Sequence, residues 1–210
     1  LIGFGTIGSG VAKALMDRRG LLLKRTGMDF NLLLVCDKDL LSKRGVNIPK
    51  SMLTKDADEV INNPDIHIVV ELIGGIHPAK EIVMKALSKG KHVVTANKLL
   101  LASEGMEIFQ KAKDSNREIY FEASVAGGVP IIKAIREGMV GNRFSSVFGI
   151  LNGTSNYILS SMSSEGSSFK AALKEAQLKG YAEKDPSLDI KGLDSSHKLA
   201  ILSLLAFGKR

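Results

Sequence analysis

The chain has 210 residues, 44% of them hydrophobic and 24% charged, an ordinary globular composition with length enough for one or two domains. Its formal net charge is +7, but cations and acids are interleaved and aromatic residues make up only 5% with no Trp, which argues against a nucleic-acid surface of clustered cations and stacking rings. A single cysteine excludes an internal disulfide and fits a reducing cytoplasm, and no apolar run of about 18 residues offers a membrane span.

The chain opens without Met on the apolar stretch "LIGFG" and closes on "AFGKR" just past a helical pattern, so it reads as a fragment. "LIGFG" predicts a strand running into a helix from Thr6 to about Arg18. "NLLLVCD" (Asn31 to Asp37) and "IHIVVELIG" (Ile66 to Gly74) predict buried strands, the second on its β-branched content. Pro78 then suits a first helical turn, Ile82, Val83, Ala86 and Leu87 share one face, and Gly90 ends that helix. "HVVTA" predicts the next strand, Met106 to Ala112 the next helix face, and "EIYFEASV" a further strand carrying Glu122. Such alternation implies a doubly wound parallel sheet with helices on both faces, an α/β domain of Rossmann type over residues 1–127.

From "GGVPIIKAI" onward the pattern changes. A helix (Pro130 to Met139), a strand "FSSVFGIL", a loop "NGTSN" and two helices (Ser168 to Lys179, Leu193 to Phe207) predict an incomplete α+β domain over residues 128–210.

"GFGTIG" places Gly3, Gly5 and Gly8 in the spacing of a dinucleotide-binding turn, between a strand and an amphipathic helix. Gly3 would make the tight turn, Gly5 would admit a pyrophosphate over Gly5, Thr6 and Ile7, and Gly8 would let the helix lie close on the sheet. Asp37 ends the second strand, where an acid binds an adenosine ribose diol. Lys38, with Lys43 and Arg44 nearby, would instead hold a 2′-phosphate, so NAD and NADP both stay open. Thr95, Asn97 and Lys98 follow a strand and should face the ligand crevice. Glu122, alone in a strand, needs a partner, and with neighbouring carbonyls it would make an oxygen site for a hard cation. The stretch "GYAEKDPSLDIKGLDSSHKLA" gathers acids and lysines before an apolar helix. Gly180 caps the helix before it, and Asp194 and Lys198, four residues apart, share one helical face. A solvated linker is the competing reading of that charge. Cys36 reads as core filler, and His197 as a packed helix residue.

Together "GFGTIGSGV", "VVELIGG", "GKHVVTANK", "FEASVAGGVPII", "LNGTSNYIL" and "GYAEKDPSLDIKGLDSSHKLAIL" closely resemble homoserine dehydrogenase, in order and spacing, over nearly the whole chain. The resemblance implies an NAD- or NADP-dependent interconversion of L-homoserine and L-aspartate 4-semialdehyde, in a cytoplasmic homodimer joined through the second domain. It implies Lys198 as the proton donor or acceptor, with Lys98 near both cofactor and substrate. Glu183, Asp194 and Thr154 are the implied substrate contacts, and Gly180 and Glu183 further cofactor contacts. It also implies a monovalent-cation site, Na⁺ or K⁺, at Glu122 with the backbone of Val125, Gly127 and Val129. An aspartate-semialdehyde dehydrogenase would need a nucleophilic cysteine that Cys36 is ill placed to supply. A non-catalytic nucleotide-sensing module is the alternative of a different class.

Overall fold

A computed structural model describes residues 1–208. Lys209 and Arg210, the last two residues of the expected second domain, lie outside the described residues. The chain forms two compact units, Leu1–Ser124 and Val125–Arg210.

In the first unit the apolar runs meet as a parallel sheet. Strands β1 (Val35–Cys36) and β2 (Leu53–Thr54) pair with each other, and β3 (Ile68–Glu71), β4 (His92–Thr95) and β5 (Ile119–Tyr120) form a second ladder. Ile2 joins the two by parallel bridges to Cys36 and to Glu71. Taking the Ile2 segment as the first strand, the order across the sheet is 3-2-1-4-5-6, the dinucleotide-binding arrangement in which strand order reverses beside the first strand. The expected doubly wound sheet is therefore present, although only two to four residues of each apolar run are paired.

Helices α1 (Thr6–Asp17), α2 (Arg19–Thr26), α3 (Ala57–Asn62), α4 (Ala79–Ser88) and α5 (Lys98–Asp114) connect the strands. The predicted apolar face of α4 is buried at Ile82, Val83, Ala86 and Leu87, and Gly90 takes φ +73° just beyond the helix. Helix α5 buries Leu100, Leu101, Ile108 and Ala112. At roughly 1.5–3 kcal/mol for each large aliphatic side chain, these faces do more to hold the helices than their intrinsic propensity does. Leu1, Phe4, Ala12, Val35 and Ile48 form a core cluster beneath the glycine turn. Helices α2 and α3 went unforeseen, being short and weakly patterned.

The expected strand "EIYFEASV" is shorter than its apolar pattern. It is paired only at Ile119 and Tyr120, and Glu122–Ser124 turn into a 3₁₀ helix. The Ser124 backbone N–H and hydroxyl both donate to the Phe121 carbonyl, which closes the turn and takes Glu122 off the ladder.

The second unit is helical among the described residues. Helix α6 (Ile131–Lys133) continues as a π-helical turn over Ala134–Gly138. Helices α7 (Gly153–Glu165), α8 (Phe169–Leu178), α9 (Ser187–Ile190) and α10 (Leu193–Phe207) follow. Two expectations are corrected here. "FSSVFGIL" is not a strand: it pairs with no other described segment, and Phe148 and Ile150 are 91% and 77% exposed. "NGTSN" is no loop but the start of α7, where the Asn152 side chain accepts a hydrogen bond from the Ser155 N–H and caps the helix. Helices α7 and α8 pack Ile158 of α7 against Ala172 and Ala176 of α8, small residues that let the backbones approach, and Ala182 of the following loop joins the cluster.

Candidate active site

The glycine turn of the first unit has the shape its spacing predicts. Gly3 sits at φ +96°, and a side chain there would bring Cβ within 2.6 Å of the Leu72 carbonyl. A Cβ on Gly8 would lie 2.0 Å from the Gly3 carbonyl oxygen, so α1 rests directly on the turn. Gly5 is different: nothing lies within 4 Å of the Cβ it lacks. Gly5 is also the N-cap of α1, and no side chain caps that end among the described residues. Gly5, Thr6 and Ile7 are exposed there, leaving first-turn N–H groups and the positive end of the helix dipole facing open space. This cradle fits a pyrophosphate.

Asp37 is drawn into the turn. Its Oδ2 accepts the Phe4 N–H and its Oδ1 accepts the Asp39 N–H. Arg44 donates to the Phe4 carbonyl at 2.6 Å, contacts Asp39 at 3.0 Å and lies 4.0 Å from Asp37. Lys38 beside them is exposed. Cys36 is buried, and burial pushes its thiol up from the ordinary value, the opposite of what a nucleophile needs. At the carboxyl end of β4, Thr95 is buried and Lys98 is the first residue of α5, which Asn97 caps through Leu100 N–H.

In the second unit Lys198 and Asp194 meet as their spacing predicts. Lys198 Nζ lies 2.6 Å from Asp194 Oδ2 and 2.7 Å from the Leu151 carbonyl oxygen. Asp194 is buried at 5% exposure, so its charge depends on these partners. One of them was missed from sequence: Asn152 Nδ2 donates to Asp194 Oδ2 at 3.0 Å and to Asp189 Oδ1 at 2.7 Å. One buried amide thus orders two carboxylates beside a lysine. A pocket of about 410 Å³ opens here, lined by Lys198, Asn152, Asn156, Leu151, Gly127 and Val129 among others, within the size range of small-molecule sites.

Other expected residues stand elsewhere. The Thr154 hydroxyl donates to the Tyr181 carbonyl, tying α7 to the loop after Gly180. Gly180 takes φ +78° past the end of α8. Glu183 is exposed, its carbonyl accepting from Gln177, and its carboxylate has no partner among the described residues. His197 is half-buried on α10. Among the described residues no three His, Cys, Asp or Glu side chains gather as a metal site. Beyond Glu122, the chain turns through Ala126 at φ +49° and Gly128 at φ +90°, and Val129 N–H closes onto the Ala126 carbonyl. No helix among the described residues is long and apolar enough to cross a membrane.

Residues 3–122 match the family model described as homoserine dehydrogenase, NAD binding domain, and residues 130–210 the model described as homoserine dehydrogenase. A homoserine dehydrogenase of Neisseria gonorrhoeae is 50% identical over 208 residues, covering 99% of this chain and 48% of that protein. The crystal structure of a homoserine dehydrogenase from Thiobacillus denitrificans superposes with a TM-score of 0.88 at 47% identity, covering 99% of this chain and 48% of that one. A hyperthermophilic archaeal homoserine dehydrogenase in complex with NADPH superposes with a TM-score of 0.84 at 28% identity, covering 99% of this chain and 69% of that one. The chain spans about half the length of the curated relatives it matches.

Proposed function

The chain belongs to the homoserine dehydrogenase family, and from that membership we propose that the complete protein interconverts L-homoserine and L-aspartate 4-semialdehyde with a nicotinamide dinucleotide, on the route to threonine, methionine and isoleucine. The observation that carries this reading is Lys198 on the pocket wall, held by Asp194 and the Leu151 carbonyl. A solvated linker would not bury Asp194, and a nucleotide-sensing module would have no use for the Lys198–Asp194–Asn152–Asp189 chain.

When bound, the nicotinamide supplies the hydride acceptor or donor. The protein's part is electrostatic and acid–base. An ammonium has three N–H donors, and two of those of Lys198 are directed at Asp194 and Leu151, which leaves one for a substrate oxygen. In the direction of reduction that donor stabilises the developing alkoxide and delivers the proton, leaving a neutral amine; in oxidation the neutral amine takes the hydroxyl proton and becomes the ammonium again. Asp194 and Glu183 receive the substrate ammonium. Thr154, its hydroxyl proton committed to Tyr181, acts by holding the Gly180 loop and by offering its oxygen as an acceptor. Lys98, Thr95, Gly180 and Glu183 contribute to the cofactor site. Oxidation of L-homoserine by the complete protein, followed by absorbance of the reduced cofactor, tests the assignment; no homoserine-dependent reduction of either NAD or NADP would refute it.

The cofactor proposed is NADP. Both Asp37 oxygens already accept backbone N–H groups, which weakens Asp37 as a ribose-diol ligand, while Lys38 and Arg44 bring positive charge to the same end of the turn. The archaeal neighbour that binds NADPH supports the same choice. Catalytic efficiency is expected to favour NADP over NAD, and a preference for NAD of about tenfold, near 1.4 kcal/mol, would reverse the choice.

Glu122 with the carbonyls of Val125, Gly127 and Val129 is the proposed monovalent-cation site, its support being the family resemblance and oxygen-donor chemistry. Glu122→Leu in the complete enzyme is expected to abolish activation by Na⁺ or K⁺. Wild-type activity indifferent to both ions would remove the site. A homodimer working in the cytoplasm completes the proposal.

A further inference from the structure

Glu71 is a fully buried carboxylate, at 0% exposure, which none of the catalytic steps above uses. It ends β3 beside the Ile2 segment, at the point where strand order reverses and an open α/β sheet leaves its ligand crevice. Burying a carboxylate is costly unless donors surround it, and a residue needed only for packing there would be apolar. Glu71 has such donors. Its Oε1 accepts the Ile73 N–H at 2.7 Å and, at a longer 3.4 Å, the Gly74 N–H. Its Oε2 accepts the Thr95 hydroxyl at 2.7 Å. Thr95 Oγ1 in turn accepts the Asn97 N–H at 3.0 Å. Asn97 Nδ2 donates to the Gly75 carbonyl at 2.6 Å, and Asn97 Oδ1 caps α5 through the Leu100 N–H at 3.1 Å.

These bonds close a ring. It starts at Glu71, passes along the Ile73–Gly75 loop, crosses to Asn97 and returns through Thr95. The loop it ties down is exposed and has two successive glycines at φ +80° and +73°, a sequence with little stiffness of its own. The start of that loop touches the dinucleotide turn: Leu72 N–H donates to the Ile2 carbonyl, and the Leu72 carbonyl is what a side chain on Gly3 would strike. The other end of the ring sets the first turn of α5, where Lys98 begins.

We propose that Glu71 is a positioning residue for the cofactor crevice, acting through Thr95 and Asn97 to hold the Leu72–Gly75 loop and the start of α5 in the geometry that receives the dinucleotide. The inference rests on the nicotinamide-dependent reading above. Its test is direct binding of NADPH and NADH to the complete protein, by fluorescence titration, for wild type, Glu71→Leu, Glu71→Gln and Asn97→Asp. Leucine removes both carboxylate acceptors from the ring. Glutamine keeps an acceptor for Ile73 N–H and offers an amide donor to Thr95. Aspartate at 97 keeps the helix cap but sets an oxygen against the Gly75 carbonyl, breaking one link without opening a cavity.

Glu71→Leu and Asn97→Asp are expected to raise the dissociation constant about tenfold or more, with Glu71→Gln close to wild type and the homoserine KM at saturating cofactor unchanged. Folded Glu71→Leu that binds within about twofold of wild type would overturn the proposal. If Glu71→Leu does not fold, the same result for Asn97→Asp would overturn it. Wild type that binds neither nucleotide would overturn both this proposal and the function on which it rests.

Discussion

Lys198→Ala is expected to lower kcat by roughly 10²–10⁴, the usual scale of general acid–base help, while leaving nucleotide binding near wild type. The reasoning starts from the neighbours that remain. Removing the ammonium takes a donor away from the buried Asp194, to which Asn152 still donates, and leaves the developing alkoxide of the substrate without the Lys198 charge. An uncompensated charge of that kind is worst in the transition state, so the loss falls on kcat rather than on cofactor affinity. Lys198→Arg would not repair it: a guanidinium is larger, stays protonated and cannot exchange a proton near neutral pH. Steady-state kinetics with both substrates varied would check this. A Lys198→Ala enzyme that keeps more than half its kcat would move the proton-transfer role to Lys98. Glu183→Leu, by contrast, is expected to raise mainly the homoserine KM.

The second large effect divides the three glycines of the turn by what they do. Gly5→Val should leave the fold intact, since φ is −69° and no atom lies within 4 Å of the added Cβ. Its side chain would stand where phosphate approaches α1, and the cofactor KM should rise about tenfold or more with the homoserine KM unchanged. Gly8→Ala should do the reverse. Its methyl group would come within 2.0 Å of the Gly3 carbonyl oxygen, and α1 could accept it only by lifting off the sheet. Overpacking of that kind costs roughly 1–3 kcal/mol, so Gly8→Ala should unfold at lower denaturant concentration even without cofactor. Equal effects of Gly5→Val on both KM values, or a Gly8→Ala protein as stable as wild type, would contradict this division.

Much of this was readable in the residues, and the failures have physical causes. The glycine spacing was legible because each glycine answers to a different local steric demand, and the structure shows two of them as close contacts. The Asp194–Lys198 pair was legible because i and i+4 meet on any helix. Asn152 and Asp189 were not: they join the cluster across separations of 42 and 37 residues, which no local pattern encodes. Asn152 was also disguised. Asn, Thr and Ser favour turns because their side chains bond nearby backbone, and Gly because it reaches positive φ; the same side-chain bonding caps a helix. The usable signal was the helical content of "YILSSM" immediately after it. "FSSVFGIL" failed in the opposite way. β-Propensity describes fit to a pleated surface, and that segment pairs with no strand among the described residues. Glu122 fell between the two cases, where a serine hydroxyl competing for the Phe121 carbonyl turned a strand end into a 3₁₀ turn.

Hydride transfer from homoserine is the central claim, and isotopic labelling follows it atom by atom. L-Homoserine carrying deuterium on the carbon that bears the side-chain hydroxyl would be incubated with the complete protein and NADP, and the reduced cofactor isolated for mass spectrometry. Deuterium on the nicotinamide ring, in step with aldehyde formed, is the predicted result. Reduced cofactor free of deuterium, or no reduced cofactor with either NADP or NAD, would contradict the account.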